Sequence, residues 1–572
     1  VHPCPENPSG KISLPGRRLV LTWALFGLCL LLVAIELVQF GLALAEGWRA
    51  RRTFDDAFAF CRYADHLLAG WGLAWNIGGP QTYGCTSLLY TFWVALLRWL
   101  TGLQAWEVLA LGAWIPAAGA ILLMGLAGAR TAEQAELRHP LVSCGFACLC
   151  TFFQRPFFFH IETGMDTTLA ILTNAAMVLV VVGPRFAVSG RQVMLAALVA
   201  YLAFLARPDN LLYAVFFPGL VILLGPASGR LGRLARFGIT LAALLLIDTA
   251  VKTAVFGNPL PLPFYAKARG FYEGYAGAAK WNPVSYTRDF LLNQGPALAV
   301  LALTVGRHSW RLAAAGLLPC LLTFAYLGSL NQIMGYAARF YYPAMPLIVV
   351  PAYHALDRWI GVTRARPRTC VSWAFGGRVV GLALLTAAAV PLSGRAARWY
   401  GHRCLARQPA GPPYTMSQPT ASVPPLGWVT TIRAMIALTQ ACPADVTWAM
   451  SEHGFVSAVC PDVTIIDLVG LHDRNTLTGR PVAQHALEQR PDVIWFPHPD
   501  YAGLVRAIQS SPLFQEHYDY WPGAFDYGPY GRTRPGESRS SAPSAGYGAS
   551  ITIPSVRCPF GAPTAGSRAR LF

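Results

Sequence analysis

Two adjacent carboxylates, Asp55 and Asp56, open the stretch TFDDAFAFCRYADHLLAG in a chain of 572 residues. Apolar Phe54, Ala57, Phe58, Cys61, Ala64 and Leu68 recur at helical spacing, which predicts an amphipathic helix lying on a membrane surface. Asp55, Arg62 and His66 then share its polar face. Thr53 and Asp56 fit a capping box, in which Asp56 bonds back to the threonine amide. That reading accounts for Asp56 and leaves Asp55 without a structural task. A carboxylate at a helix start stays ionised and can take a proton from a bound hydroxyl, so Asp55 is the candidate general base. Adjacent helical residues diverge by about 100°, which makes shared chelation awkward. The expectation is a base that needs neither metal nor cofactor.

The elements that position this pair belong to a membrane. With 54% hydrophobic and 13% charged residues, the chain is too apolar for a soluble multi-domain protein. Its net charge of +17 resides in short loops between apolar runs, which argues for membrane topology and against nucleic-acid binding. Apolar runs near 19–41, 107–128, 141–158, 166–183, 192–206, 210–225, 237–256, 290–306, 312–329, 341–356 and 376–393 predict about eleven spans. The first run is longer than the apolar core of a signal peptide and contains Glu36, which favours a retained span. Reading Leu88–Leu100 as re-entrant or juxtamembrane leaves the cationic loops at Arg130, Arg185, Arg230, Arg307 and Arg358 all cytoplasmic.

That parity sends five polar stretches to the outer face: TFDDAFAFCRY, HIETGMD, ARPDN, GNPLPLPFYAK and GYAARFYYP. Residues scattered over the sequence then build one site. The predicted organisation is a cytoplasmic tail (1–18), a transmembrane catalytic domain (19–393) with its first outer loop at 42–106, a small extracytoplasmic α/β domain (394–522) and a disordered tail (523–572). The runs DVTWAM, VTIIDLV and DVIWF supply the β-like segments, and HALEQR a helix-like one. Cys61, Cys85, Cys404, Cys442, Cys460 and Cys558 are disulfide candidates in an oxidising compartment. His453 and His472 lack zinc spacing with nearby cysteines and read as solvated loop histidines.

The pieces FDDAF, RYADHLLAGWGLAWNIGG, YGCTSLLY, ETGMDTTL, ARPDN, FGNPLPLPFYAK, ARFYYPAMP and IIDLVGLHD occur in one order from Phe54 to Asp473. Together they resemble GT-C-type membrane glycosyltransferases, in particular the terminal mycobacterial arabinofuranosyltransferase family. The resemblance implies a GT-C-like α-helical polytopic fold in a bacterial plasma membrane, with site and C-terminal domain extracytoplasmic. It further implies an inverting transfer of a sugar, arabinofuranose in that family, from a polyprenyl-phosphate donor to a glycan acceptor. An aspartate of the double-aspartate motif would be the base; Asp55 matches better than Asp56. The sequence departs from the family at PLPFYAK, which keeps Lys267 without the usual asparagine and threonine, and at Cys85-Thr86-Ser87, where Thr-Asn is more usual.

Such chemistry needs cations for the departing phosphate, and Lys267 and Arg339 are placed for it at the outer ends of spans. Each has a rival reading: Lys267 as a snorkelling lysine, Arg339 as a partner of a loop carboxylate. Arg207 and Asp209 fit a turn-stabilising pair around Pro208, while Glu162 and Asp166 could orient the acceptor. Arg62, Tyr63 and His66 on the first loop complete the expected substrate-binding set. Asp248 and Lys252, at i and i+4 inside a span, can neutralise each other, whereas Glu36 lacks an obvious partner. A transporter or flippase of a polyprenyl-linked substrate is the alternative; its informative polar groups belong near the bilayer midplane.

Overall fold

The computed structural model describes residues 15–49, 54–152, 154–183, 186, 189–268, 283–330, 332, 335–365, 435–436, 438–495, 501–520 and 529–532. The expected span at 376–393, most of the tail at 523–572, Thr53, Cys404 and Cys558 lie outside them, but Pro529–Arg532 of the tail expected to be disordered forms a strand that pairs into the sheet described below.

The chain is mostly helical. Among the described residues, four helices are long and apolar enough to cross a membrane: the Thr22–Ala45 part of α1 (Pro15–Arg49), α4 (Ala105–Thr131), α10 (Arg230–Phe256) and α14 (Trp310–Gly328). Their outward side chains include Leu30, Leu31, Leu37, Ile239, Leu246 and Leu321, all more than half exposed, which fits contact with lipid tails. Shorter apolar helices fill in around them: α3 (Leu88–Thr101), α7 (Thr167–Val181), α8 (Gly190–Ala206), α9 (Leu211–Leu224) and α13 (Gly295–Thr304).

One expected span is broken. Residues 141–158 form α5 (Pro140–Phe152) and α6 (Arg155–Glu162), set at 89° to each other. Pro156 at the start of α6 fits a helix beginning there. The segment at 341–356 enters through a short 3-10 turn, Tyr342–Ala344, and continues in α15 (Met345–Ala365), whose Asp357 accepts the backbone amides of Glu133 and Gln134 at 2.9 and 3.0 Å and so ties down the turn after α4.

Small residues bring the central helices together. Ala113, Ala117, Ala120 and Ala127 of α4 and Ala170 and Ala175 of α7 are fully buried. A Cβ at Gly125 would strike the Cys144 sulfur of α5, so backbones approach at a distance that only glycine permits. Among the intramembrane charges, Lys252 Nζ lies 2.6 Å from Asp248, as the spacing suggests. Glu36 finds Thr151, whose hydroxyl donates at 2.6 Å.

α2 (Asp55–Leu68) begins after Phe54, which offers no side-chain cap, and the capping box expected between Thr53 and Asp56 lies outside the described residues. α2 packs on α3 and on a second unit, a five-stranded sheet in the order β2-β1-β3-β5-β4. Its strands are β1 (Trp448–Met450), β2 (Ile465–Asp467), β3 (Val493–Trp495), β4 (Tyr518–Tyr520) and β5 (Pro529–Arg532). The first three, parallel to one another, come from the three β-like runs; β5 pairs antiparallel with β3 and β4.

Candidate active site

The five polar stretches meet at one end of the helical bundle. The Phe54 amide donates to Thr163 O at 3.1 Å, the Leu262 amide to Tyr83 O at 2.7 Å, and the Phe54 ring lies 5.4 Å from that of Tyr336. The far end of α7 is different in kind. There a cavity of about 430 Å³ is lined by Arg130, Arg233, His354 and Arg358 from the cationic loops. Arg130 and Arg233 donate to the carbonyls of Leu179, Ser228 and Pro226, so these cations serve local backbone.

Asp55 and Asp56 have divided roles. The Asp55 carboxylate accepts the backbone amides of Gly454 at 3.1 Å and Phe455 at 2.8 Å, at the start of the helix Gly454–Val459. Burial pushes its carboxyl up to about 6, against the pull of His453 and the Phe455 amide. Gly454 allows the approach, because a Cβ there would land on the Asp55 carbonyl oxygen. Asp56, half-buried, makes no hydrogen bond or ion pair among the described residues, and its charge acts on Lys267, Arg339 and His453.

Two cations, Arg339 and Lys267, feel the Asp56 charge. Arg339 is 8% exposed, yet its Nε and Nη1 find no acceptor. It follows Ala337 and Ala338, whose φ of 53° and 58° place two side-chain-bearing residues in the left-handed region. Lys267, in α11 (Leu262–Ala268), keeps accessible surface but has protein on several sides. Burial, then Arg339, lowers its amine to about 8.

Arg207 is committed elsewhere. It lies 2.9 Å from Asp209 and 3.2 Å from Asp166, joining two of the stretches in a buried triad that Thr86 approaches at 3.5 Å. Glu162 is buried at the end of α6.

Arg62, Tyr63 and His66, expected to bind substrate, instead dock the second unit. Arg62, fully buried, donates to Asn76 Oδ1 at 2.9 Å and to Val463 O at 2.7 Å. His66 bonds Ala74 O at 2.8 Å and Pro461 O at 3.1 Å, and Tyr63 bonds Thr82 at 2.9 Å and His472 Nδ1 at 3.2 Å. Cys61, Cys85 and Cys460 form no disulfide.

His453 and His472 are not solvated loop histidines: each is 4% exposed. They sit with Asp467 beneath Trp75, which stacks on His472 at 3.9 Å and meets His453 edge-on at 4.9 Å. Against its own burial, His453 holds Asp467 down to about 2, while burial followed by His453 lowers His472 to about 3. Next to them burial raises Glu452 to about 7. Sequence reading missed Glu452 and Asp467. Their signal was position: Asp467 at the end of one β-like strand and Glu452 just after another fall at the carboxyl ends of parallel strands, where ligand sites form.

No family model matches the chain. No curated protein matches it either. Among solved structures it is similar to the Archaeoglobus fulgidus oligosaccharyltransferase tethered with an acceptor peptide. The identity is 11% and the TM-score 0.40, covering 88% of this chain and 74% of that one. At that score no argument rests on the likeness.

Proposed function

We propose that this multi-pass membrane protein is an inverting glycosyltransferase that moves a sugar from a polyprenyl-phosphate donor to a glycan acceptor outside the cytoplasm. One observation carries the reading: the Asp56 carboxylate, without a hydrogen bond or ion pair among the described residues, acts electrostatically on Lys267 and on Arg339, whose Nε and Nη1 lack acceptors, at the end of the bundle where the polar stretches converge. The ordered resemblance of those stretches to GT-C-type arabinofuranosyltransferases supports the same reaction and suggests arabinofuranose as the sugar.

In this scheme Asp56 takes the proton of the acceptor hydroxyl, whose oxygen attacks the anomeric carbon from the face opposite the phosphate. The anomeric carbon–oxygen bond breaks, and polyprenyl phosphate leaves with the electron pair. Arg339 and Lys267 hold the growing charge. The leaving phosphate is acidic enough to depart without a proton donor. Asp55, with both oxygens engaged by amides, is assigned a positioning role: it fixes the first turn of α2 against the helix Gly454–Val459 and so aims its neighbour. Asp166, Arg207 and Asp209 brace the floor, with Glu162 beside them.

The test is purified protein in lipid with synthetic polyprenyl-phosphate arabinofuranose and short glycan acceptors, alongside folded Asp56→Asn. A new glycosidic bond from the parent and none from the variant supports transfer. Movement of the lipid-linked sugar across vesicles without bond formation points to a flippase and overturns the proposal.

A further inference from the structure

We propose that His453, Asp467 and His472 form a binding site for a divalent transition-metal ion, zinc by its donor set. One ligand atom from each residue lies within 4.8 Å of the others, the one such grouping among the described residues. All three are buried. Two imidazole nitrogens and a carboxylate oxygen are the donors that borderline ions such as zinc take, and three protein ligands leave a fourth position open. The cluster lies at the carboxyl ends of parallel β1 and β2: Asp467 ends β2, and His453 follows β1 by three residues.

A second observation points to a missing occupant. Nδ1 of His453 is buried without a hydrogen-bond partner, while Nε2 lies 3.2 Å from Asp467 Oδ1. Native structures rarely leave such a group orphaned.

The surroundings resemble the outer support that orients metal ligands. Asp467 accepts the backbone amides of Val469 at 2.8 Å and His472 at 2.7 Å, which fixes its carboxylate and leaves lone pairs free. Tyr63 holds His472 at Nδ1, and Trp75 stacks flat on the same ring, leaving its edge open. Gly84 makes room, since a Cβ there would collide with His472 and Tyr63. Donors around a tetrahedral zinc ion stand roughly 3.3 Å apart, so loading draws the three ligands inward by rotation of the imidazoles. Because the supports come from the first outer loop and the ligands from the sheet, a bound ion would strengthen the junction between them. The site needs no assumption about the sugar donor.

The test uses the full-length protein in detergent, freed of affinity tag, stripped with chelator and titrated with zinc chloride by calorimetry. One equivalent is expected per chain, with a rise in unfolding temperature. Tyr63→Phe should weaken binding about tenfold through the lost support, and His472→Gln or Asp467→Asn should abolish it. Absence of tight binding by the folded parent, or equal binding by folded His472→Gln, overturns the proposal. If the substitutions unfold the chain, X-ray absorption of the zinc-loaded parent decides. Two imidazoles and oxygen at about 2.0–2.1 Å support the site, and sulfur or a single imidazole overturns it.

Discussion

Arg207 and Arg339 share one aromatic ring. Their guanidinium carbons lie 5.0 and 5.1 Å from the Phe340 centroid, and Arg207 has two carboxylate partners while the Nε and Nη1 of Arg339 stand without acceptors. Two like charges gather on one ring, and in the proposed reaction the one left without acceptors receives the donor phosphate.

Arg339→Gln is therefore expected to lower kcat/KM for the lipid donor by about 10–100-fold, the worth of one or two charge-assisted hydrogen bonds, with unfolding temperature unchanged or raised. Arg339→Lys should recover part of the loss, since it restores charge without the fork. Arg207→Gln should behave oppositely. It strands buried Asp166 and is expected to cost about 3–5 kcal/mol of stability, read by thermal unfolding.

Asp55 and Asp56 can be separated in one experiment. Asp56→Asn is expected to reduce turnover by about 10²–10⁴-fold while leaving the unfolding temperature in place. Asp55→Ala removes the acceptor of two amides and should destabilise by about 0.5–2 kcal/mol, as a lost helix cap does. Its turnover should fall less than that of Asp56→Asn, and hydrogen exchange should rise at Gly454 and Phe455. The reverse pattern would return the base to Asp55.

Lys267 sets an alkaline limit. Its amine is lowered to about 8, below the usual lysine range, so it is charged at neutral pH and loses its proton through that value as pH rises. The kcat/KM for donor should decline with an apparent pKa near 8 in the free enzyme, and Lys267→Arg should move the decline to higher pH. A profile that stays flat past pH 9 would remove Lys267 from phosphate binding.

Gly454→Ala places a methyl group on the Asp55 carbonyl. The helix Gly454–Val459 must then lift off α2, and the variant should show faster proteolysis between the membrane bundle and the sheet, with loss of activity despite intact Asp56.

Much of the bundle was legible because lipid imposes long apolar helices, and the polar stretches between them were legible by contrast. The break between α5 and α6 was hidden within a continuous apolar run, with Pro156 as its one local sign. The roles of Arg62, Tyr63 and His66 escaped because they depend on residues such as Val463, Pro461 and His472, about four hundred positions away. A helix face that looks solvent-bound in isolation was the underside of another unit. The same long-range contact turned His453 and His472 from loop histidines into buried ones. Asp55 was singled out for lacking a local partner; its partners were amides, which carry no sequence signature.

Ala337 and Ala338 carry a broader lesson for redesign. Glycine would be the comfortable residue at both positions, and substituting it should relax the bend. The same relaxation would let the guanidinium of the next residue wander, so a sturdier protein would become a blunter tool. Stiffness here would keep Arg339 cocked before the proposed donor arrives.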